Sequence, residues 1–304
     1  MNGPDKIVLE HAGALGDFLL AWPALAALAQ HFADRPVHMA VRPAHAHWLA
    51  PLATPCPPDL RRALDARFAG DRWPEALDRV LVVRPGLAKR PDLPESPNFW
   101  FLQGIEEGGC RSPRQLYGEA LAARGIPLLD KPEVLFRMFF GGHAPDGRTV
   151  LLFPGAGHQD KAWPLDRMER LAEHLGQRGL RPFFVLGPAE MERGTVPAVG
   201  DSVRLENLEE LSASLRRARF VVGPDCGPLH LAALHGVPGL ALFGPTASRQ
   251  WGPEGMSVLT AGLACAPCTV MTSGEFAPDC PRPLPCLAGI TVEAVMERLA
   301  PWLP

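Results

Sequence analysis

The stretch "VVGPDCGPLHLAAL", residues 221–234, decides the fold because an apolar strand pattern passes directly into an apolar helix pattern. The junction carries a carboxylate, a thiol and an imidazole where a turn needs only a glycine: Asp225, Cys226, Gly227 and His230. In an open α/β sheet, the unpaired N–H groups and the positive dipole end of such a helix attract phosphate groups. The junction therefore predicts a nucleotide phosphate site. Helix capping by Asp225 and packing of His230 would also explain these residues locally.

The same alternation of strand and helix patterns extends along the chain in both directions. Strand patterns begin at Lys6, Val37, Arg79, Thr149, Arg181, Phe220 and Pro238, and helix patterns begin at Asp17, Pro113, Pro164, Asn207 and Pro228. This alternation predicts an α/β fold whose parallel sheets are built from right-handed βαβ units. A glycine-rich polar segment at 141–148 predicts a domain boundary, which gives two halves, 1–145 and 146–304, with a cleft between them.

Bulk composition narrows the function classes. The chain has 304 residues, which favours about two domains, and its net charge of −3 excludes the global basic field of a nucleic-acid-binding protein. A signal peptide would begin with a basic segment followed by an uninterrupted apolar run. Here the first strand pattern begins close to the N-terminus, and neither feature precedes it. No run reaches the roughly 18 apolar residues of a membrane span. We expect a cytoplasmic protein, with only peripheral contact at the inner face of the inner membrane.

Four of the seven cysteines lie in one segment, "CAPCTVMTSGEFAPDCPRPLPC", at Cys265, Cys268, Cys280 and Cys286. The first pair has the spacing of a zinc-binding limb, but the second pair is more open than the usual limb. The spacing favours a structural or accidental thiol cluster over a zinc site, and zinc stays the alternative.

Two glycine turns carry further candidate residues. "GALGD", residues 13–17, follows the first strand pattern, and Asp17 is either a general base at the cleft or the N-cap of the following helix. "PGAGHQDKAWP", residues 154–164, lets the backbone approach an anion, and Lys161 adds the point charge that a diphosphate needs. Lys161 as a solvated surface residue is the alternative.

Glu190 closes the pattern "FFVLGPAE", residues 183–190. An acidic group at the end of a strand suits a ribose hydroxyl, whereas an acid in the first turn of a helix is stabilised by the helix dipole. Either role explains a glutamate here.

Five segments occur in order over nearly the whole chain: "GALGDFLLAWPAL", "PGAGHQDKAWP", "VLGPAE", "VVGPDCGPLHLAALHGVPGLALFGPT" and "WGPEG". Together they resemble glycosyltransferase family 9, the ADP-heptose:lipopolysaccharide heptosyltransferases. The resemblance implies a GT-B architecture, in which two Rossmann-like domains face each other across a cleft. The first domain would bind a lipid-linked saccharide acceptor and the second an ADP-sugar. No metal or other cofactor is implied.

The resemblance also implies roles for individual residues in an inverting transfer. Asp17 would be the base that deprotonates the acceptor hydroxyl. The nucleotide-sugar site would consist of Gly155, Ala156, Gly157, Lys161, Glu190, Asp225, Cys226, Gly227 and His230. Within it, Lys161 and the glycine loop would hold the diphosphate, and Glu190 would hold the ribose.

The chain departs from the family pattern at three places. His11 stands where the family usually has Lys or Arg, and Gly13 and Ala14 stand where it usually has Ser. Cys226 replaces the usual Thr or Ser of the phosphate motif and is a poor hydrogen-bond donor. "RLEN", residues 204–207, replaces a Gly-Lys-Thr-like loop.

These departures leave two alternatives open beside the transferase. One is a nucleotide-sugar-binding protein without turnover, and the other is a GT-B transferase or epimerase that uses another nucleotide sugar. For the acceptor, "RPGLAKRP" contains a short basic run of the first domain without an intervening acid, Arg84, Lys89 and Arg90. This run is either a binding site for a phosphorylated acceptor or a solvated loop.

Overall fold

The computed structural model describes residues 3–67, 73–87, 96–106, 109–268 and 280–304. Its contacts divide the chain into two compact units, Met1–Pro132 and Glu133–Pro304. Each unit is an α/β layer structure with its own parallel sheet. The predicted α/β class with two parallel sheets is confirmed.

Five strands form the sheet in the described part of the first unit: β1 (Lys6–His11), β2 (Val37–Val41), β3 (Thr54–Pro55), β4 (Val80–Gly86) and β5 (Phe99–Gln103). Their order is β3-β2-β1-β4-β5, and all neighbours are parallel. The helices are α1 (Leu15–His31), α2 (Pro43–Ala46), α3 (Pro58–Ala66) and α4 (Pro113–Ala122).

Strand β1 is the centre of this sheet, and the sequence shows why. Ile7, Val8 and Leu9 are successive apolar residues and are all fully buried, as expected of a parallel strand covered on both faces. Helix α1 is also apolar nearly all round, and every residue from Phe18 to Ala29 is buried. The strand and the helix meet at the loop 12–14, which places Asp17 at the carboxyl edge of the sheet.

Six strands form the second sheet within the described residues: β6 (Thr149–Leu152), β7 (Arg181–Leu186), β8 (Asp201–Arg204), β9 (Phe220–Pro224), β10 (Gly239–Leu242) and β11 (Ser257–Leu259). Their order is β11-β10-β9-β6-β7-β8, again with parallel neighbours. The helices are α5 (Pro132–Phe140), α6 (Leu165–Gln177), α7 (Pro188–Glu192), α8 (Leu208–Arg217), α9 (Gly227–His235), α10 (Ser248–Trp251), α11 (Pro285–Ala288) and α12 (Val292–Leu299).

The order of the second sheet fixes the site. Strands β6, β9 and β10 are consecutive neighbours, so the loops that follow them meet at one edge. Below this edge, Trp163, Phe184 and Phe220 belong to a core of fully buried side chains that α6 and α12 complete. The loops therefore rest on a rigid base.

Residues 133–145 are predicted from the sequence to belong to the first domain, but their contacts are with the second unit. The backbone N–H of His143 donates to the carbonyl of His235 at 2.9 Å, and that of Ala144 donates to the carbonyl of Arg216 at 2.8 Å. The division by contacts thus falls at 132/133, before the polar segment that suggested a boundary.

The strand and helix patterns predicted from the sequence correspond to observed elements with shifts of a few residues at their ends. Several short elements have no clear pattern and were not predicted, among them β3, β8 and β11. Among the described helices, none is both long and apolar enough to cross a membrane.

Candidate functional site

Three side chains from successive strand ends meet in the second unit. Lys161, in the 3-10 turn Gln159–Lys161 after β6, donates from Nζ to Oδ2 of Asp225 at 2.8 Å. Thr246, after β10, donates from Oγ1 to the same Oδ2 at 3.0 Å. The Lys161 and Asp225 side chains are 20% and 10% exposed, so this ion pair is shielded from water on most sides. The predicted residues Lys161 and Asp225 are thus brought together.

The glycine loop, residues 155–157, precedes Lys161 of this ion pair by four residues in the chain. A side chain on Gly155 would overlap the carboxylate of Glu190, so the loop passes Glu190 at a distance that only glycine allows. Glu190 lies in the first turn of α7, and its Oε2 accepts the N–H of Gly187 at 2.8 Å. Glu190 is thus an acid in the first turn of a helix and also borders the glycine loop. Both interpretations made from the sequence, helix stabilisation and a contact with the ribose, fit this position.

Helix α9 begins at the same edge. Its N-cap is Cys226, whose side chain makes no capping hydrogen bond, and Gly227 is its first residue. Burial raises the pKa of the Cys226 thiol, so the thiol stays protonated at neutral pH. His230 is buried in the first turns of the helix. Asp225 precedes the cap, so capping by Asp225 does not explain the motif.

In the first unit, Asp17 is the third residue of α1 and Ala14 is the N-cap. The interpretation of Asp17 as the N-cap is therefore wrong. Its Oδ2 accepts the N–H of Ala14 at 3.3 Å, which is half of a capping box that the alanine side chain cannot complete. Asp17 consequently stabilises the helix start and borders the loop after β1.

Around Asp17, the first unit buries neutral polar groups. Burial lowers the pKa of His11 to about 4, and burial lowers that of His45 to about 4 as well. The hydroxyl of Tyr117 and Nδ1 of both histidines have no hydrogen-bond partner among the described residues. Burial and the charge of Asp17 raise the pKa of Tyr117. A Cβ on Gly13 would lie 2.7 Å from Cε1 of His11 and 2.9 Å from Cβ of Asp17.

The predicted acceptor residues are only partly described. Arg84 lies at the end of β4, and its guanidinium approaches the carboxylate of Glu10 at 3.6 Å. Glu10 also forms an ion pair with the fully buried Arg67. Lys89 and Arg90 lie outside the described residues. Arg84 is thus part of a shielded charge cluster rather than an exposed basic run.

The cysteine segment contacts the 3-10 turn Gln159–Lys161 through an arginine. Arg282 donates from its second terminal nitrogen to Oδ2 of the buried Asp160 at 2.6 Å. Cys286 is buried, whereas Cys265 and Cys268 are exposed. In the ranges that the structure describes, no three potential ligands form a metal-binding group.

Sequence reasoning missed two residues of this edge, Thr246 and Arg193. Thr246 follows the β10 pattern directly, and the rule that parallel strand ends meet at one edge would have identified it. Arg193 lies in a polar segment after α7 without a distinguishing pattern. Only the structure shows that it donates to the glycine loop.

The sequence model of glycosyltransferase family 9 (heptosyltransferase) matches residues 139–275. The chain is 32% identical over 230 residues to lipopolysaccharide heptosyltransferase 1 of Pseudomonas aeruginosa, covering 70% of this chain and 60% of that relative. The chain belongs to glycosyltransferase family 9. The resemblance seen in its motifs is confirmed. This family 9 chain spans 60% of the length of that curated relative and half or less of four others that it matches.

Two solved structures are similar to this family 9 chain over nearly its whole length. The family 9 glycosyltransferase of Veillonella parvula has a TM-score of 0.65 at 18% identity and covers 99% of this chain and 98% of its own. The E. coli heptosyltransferase WaaC with ADP has a TM-score of 0.62 at 17% identity and covers 98% and 99%. These likenesses show the fold and confirm the predicted GT-B class. The roles of single residues stay predictions.

Proposed function

We propose that this chain is an inverting glycosyltransferase that moves a heptose or a related sugar from an ADP-sugar to a lipopolysaccharide core acceptor. The observation that carries the proposal is the cluster of Lys161, Asp225 and Thr246 at the carboxyl ends of three neighbouring strands. Family membership supports the choice of donor, as does the ADP bound by the E. coli heptosyltransferase WaaC.

The charges of the cluster suit a nucleoside diphosphate. The Lys161 ammonium has three donors, so it can hold Asp225 and still donate to a phosphate oxygen. Asp225 uses Oδ2 for its contacts with both Lys161 and Thr246, and no hydrogen bond to its Oδ1 occurs among the described residues. Oδ1 can therefore accept from a sugar hydroxyl. The start of α9 adds the N–H of Gly227 and a positive dipole end, whereas Pro228 has no N–H and the N–H of Leu229 donates to the carbonyl of Cys226.

The remaining nucleotide-sugar residues complete this assignment. Gly155, Ala156 and Gly157 supply backbone N–H groups to the diphosphate, and Glu190 accepts from the ribose hydroxyls. His230, buried in the first turns of α9, lies beside the transferred sugar. Cys226 contributes backbone rather than side chain, because its thiol is a weak donor.

On the acceptor side, Asp17 is the proposed base. The acceptor hydroxyl oxygen forms a bond to the anomeric carbon while the bond from that carbon to the diphosphate oxygen breaks. Asp17 takes the hydroxyl proton, and ADP leaves with the electron pair. Stabilising the departing diphosphate is the larger part of the work, and Lys161 and the helix amides perform it.

The acceptor contact is assigned to the basic residues of the first unit. Arg84, Lys89 and Arg90 stay proposed for an anionic acceptor group. Arg84 contributes through the charge cluster with Glu10 and Arg67, whose sum is one positive charge. A neutral sugar would not need that excess.

A nucleotide panel tests the donor. Binding to the folded state raises stability in proportion to the logarithm of one plus ligand concentration over Kd. We expect ADP to raise the Tm of the wild type more than UDP or GDP at equal concentration. A flat response to ADP would contradict the donor assignment.

The competing function is a nucleotide-sugar-binding protein without turnover, which the missing capping hydrogen bond of Cys226 favours. We expect transfer from ADP-heptose to a deacylated lipopolysaccharide core, lost in Asp17→Ala and kept in Asp34→Ala, an exposed acid of the same unit. ADP-sugar binding without transfer or hydrolysis would support the binding protein instead.

A further inference from the structure

Arg193 follows α7 and reaches back to the glycine loop. One terminal nitrogen donates to the carbonyl of Ala156 at 2.7 Å, and the other donates to the carbonyl of Gly157 at 2.8 Å. A guanidinium presents its donors in a rigid planar fork. One side chain therefore holds two successive carbonyl groups in a fixed relative orientation.

Fixing these carbonyls also fixes the N–H groups of the same peptide units. The N–H of Gly157 shares a peptide with the Ala156 carbonyl, and the N–H of His158 shares one with the Gly157 carbonyl. Both peptides are trans, and in a trans peptide the C=O and N–H point in opposite directions. The two N–H groups are therefore directed away from Arg193. Successive N–H groups on one side of a turn attract anions.

Helix α7 holds the same loop through a second residue. The Glu190 carboxylate lies against Gly155. Glu190 precedes Arg193 by three residues, a spacing that puts two side chains on the same side of a helical turn. The segment 190–193 thus contacts all three residues of the loop 155–157. The N–H groups of these three residues donate no hydrogen bond to any part of the chain that the structure describes.

We infer that Arg193 is a positioning residue for the diphosphate of the donor. It acts by holding the carbonyls of Ala156 and Gly157 so that the N–H groups behind them face the phosphate oxygens. The two carbonyls take one donor from each terminal nitrogen, so the role inferred here is to act through the loop. The inference rests on the proposed function, because it assigns the loop to the donor.

Binding calorimetry with ADP and with adenosine tests the role. Adenosine lacks the phosphates, so the geometry of the glycine loop should affect the binding of ADP and leave the binding of adenosine unchanged. We expect Arg193→Ala to weaken ADP binding about 10-fold, the scale of one hydrogen bond to a charged group, and to change adenosine binding less than about 2-fold. Arg193→Lys keeps the charge but cannot bridge two carbonyls as a planar fork does, and we expect an intermediate loss.

Arg170→Ala is the matched control, because Arg170 is an exposed arginine of the same unit that pairs with Glu293 on α12. We expect wild-type affinities for both ligands. Equal weakening of ADP and adenosine, or ADP affinity unchanged in a folded Arg193→Ala, would overturn the inference. If Arg193→Ala does not fold, unchanged ADP affinity in Arg193→Lys overturns it. A wild type that does not bind ADP contradicts the proposed function, and the inference falls with it.

Discussion

The two candidate regions occupy the same place in their sheets, but their polar groups are partnered differently. In the second unit, Lys161, Asp225 and Thr246 are hydrogen-bonded to one another at the carboxyl ends of parallel strands. In the first unit, the buried His11 and Tyr117 beside Asp17 keep polar atoms without hydrogen-bond partners among the described residues.

This difference indicates that the two regions are arranged differently before a ligand binds. A charged cluster whose members hold one another is arranged before the ligand arrives, which suits the stabilisation of a diphosphate. The half-buried Asp17 carboxylate instead stands beside buried rings that carry no charge at neutral pH, His11 and Tyr117. We therefore expect changes in the second unit to act on nucleotide binding and changes in the first unit to act on turnover.

The largest expected effect separates turnover from binding in the first unit. Asp17→Asn keeps an oxygen that can accept the N–H of Ala14 but removes the proposed base. We expect turnover to fall about 100-fold or more, and ADP affinity measured by calorimetry to stay within about 2-fold. Asp34→Asn should leave both unchanged. Loss of ADP binding or of folding in Asp17→Asn would show that Asp17 is structural.

The next effect belongs to the second unit. Lys161→Ala removes the charge that we propose binds the diphosphate, and it leaves Asp225 without its ion-pair partner. We expect ADP binding to weaken by roughly 1.5–3 kcal/mol, measured by calorimetry. Lys131→Ala, at an exposed lysine outside both clusters, is the control. Wild-type ADP affinity in Lys161→Ala would make the ion pair a feature of the fold alone.

The smallest effect is a pH dependence of stability in the first unit. Folded His11 and His45 stay neutral down to about pH 4, whereas an unfolded histidine takes up a proton near pH 6.5. Acid therefore favours the unfolded chain, and their contribution to stability, complete above pH 6.5, is lost as the pH falls from 6.5 to about 4.

We expect His11→Gln to reduce this acid-induced loss by about 1–2 kcal/mol, measured by urea unfolding between pH 7 and pH 4.5. His174→Gln, at an exposed histidine of α6, is the control. An unchanged pH dependence in His11→Gln would mean that His11 takes up its proton at the same pH in the folded and the unfolded protein.

His11 and Gly13 show how departures from the family pattern compensate each other. A side chain at position 13 would collide with the imidazole of His11 and with Asp17. With His11 in this orientation, only glycine fits. The sequence shows both departures, but only the structure shows that the side chain of His11 lies against position 13.

The second unit was more predictable from the sequence than the first. Its site residues lie in the loops that follow strong strand patterns, and the parallel arrangement brings strand ends together without further information. The position of Asp17 within α1 was missed because Ala14 is an unusual N-cap residue. The sequence predicts Arg84 as part of a basic run. Its ion-pair cluster with Glu10 and Arg67 was not predictable, because these two residues lie far from Arg84 in the chain and no local pattern links them to Arg84.

The sequence by itself determined the longer strands and helices, the parallel arrangement and the strand ends that carry the site residues, because hydrophobic periodicity and glycine turns are local properties. Only the tertiary structure decided which charges meet, as for Lys161 and Asp225, which lie 64 residues apart. It also decided that Arg193 holds the glycine loop and that two histidines are buried in neutral form. Such contacts depend on the order of strands in the sheet and on side-chain orientation, and a linear pattern contains neither.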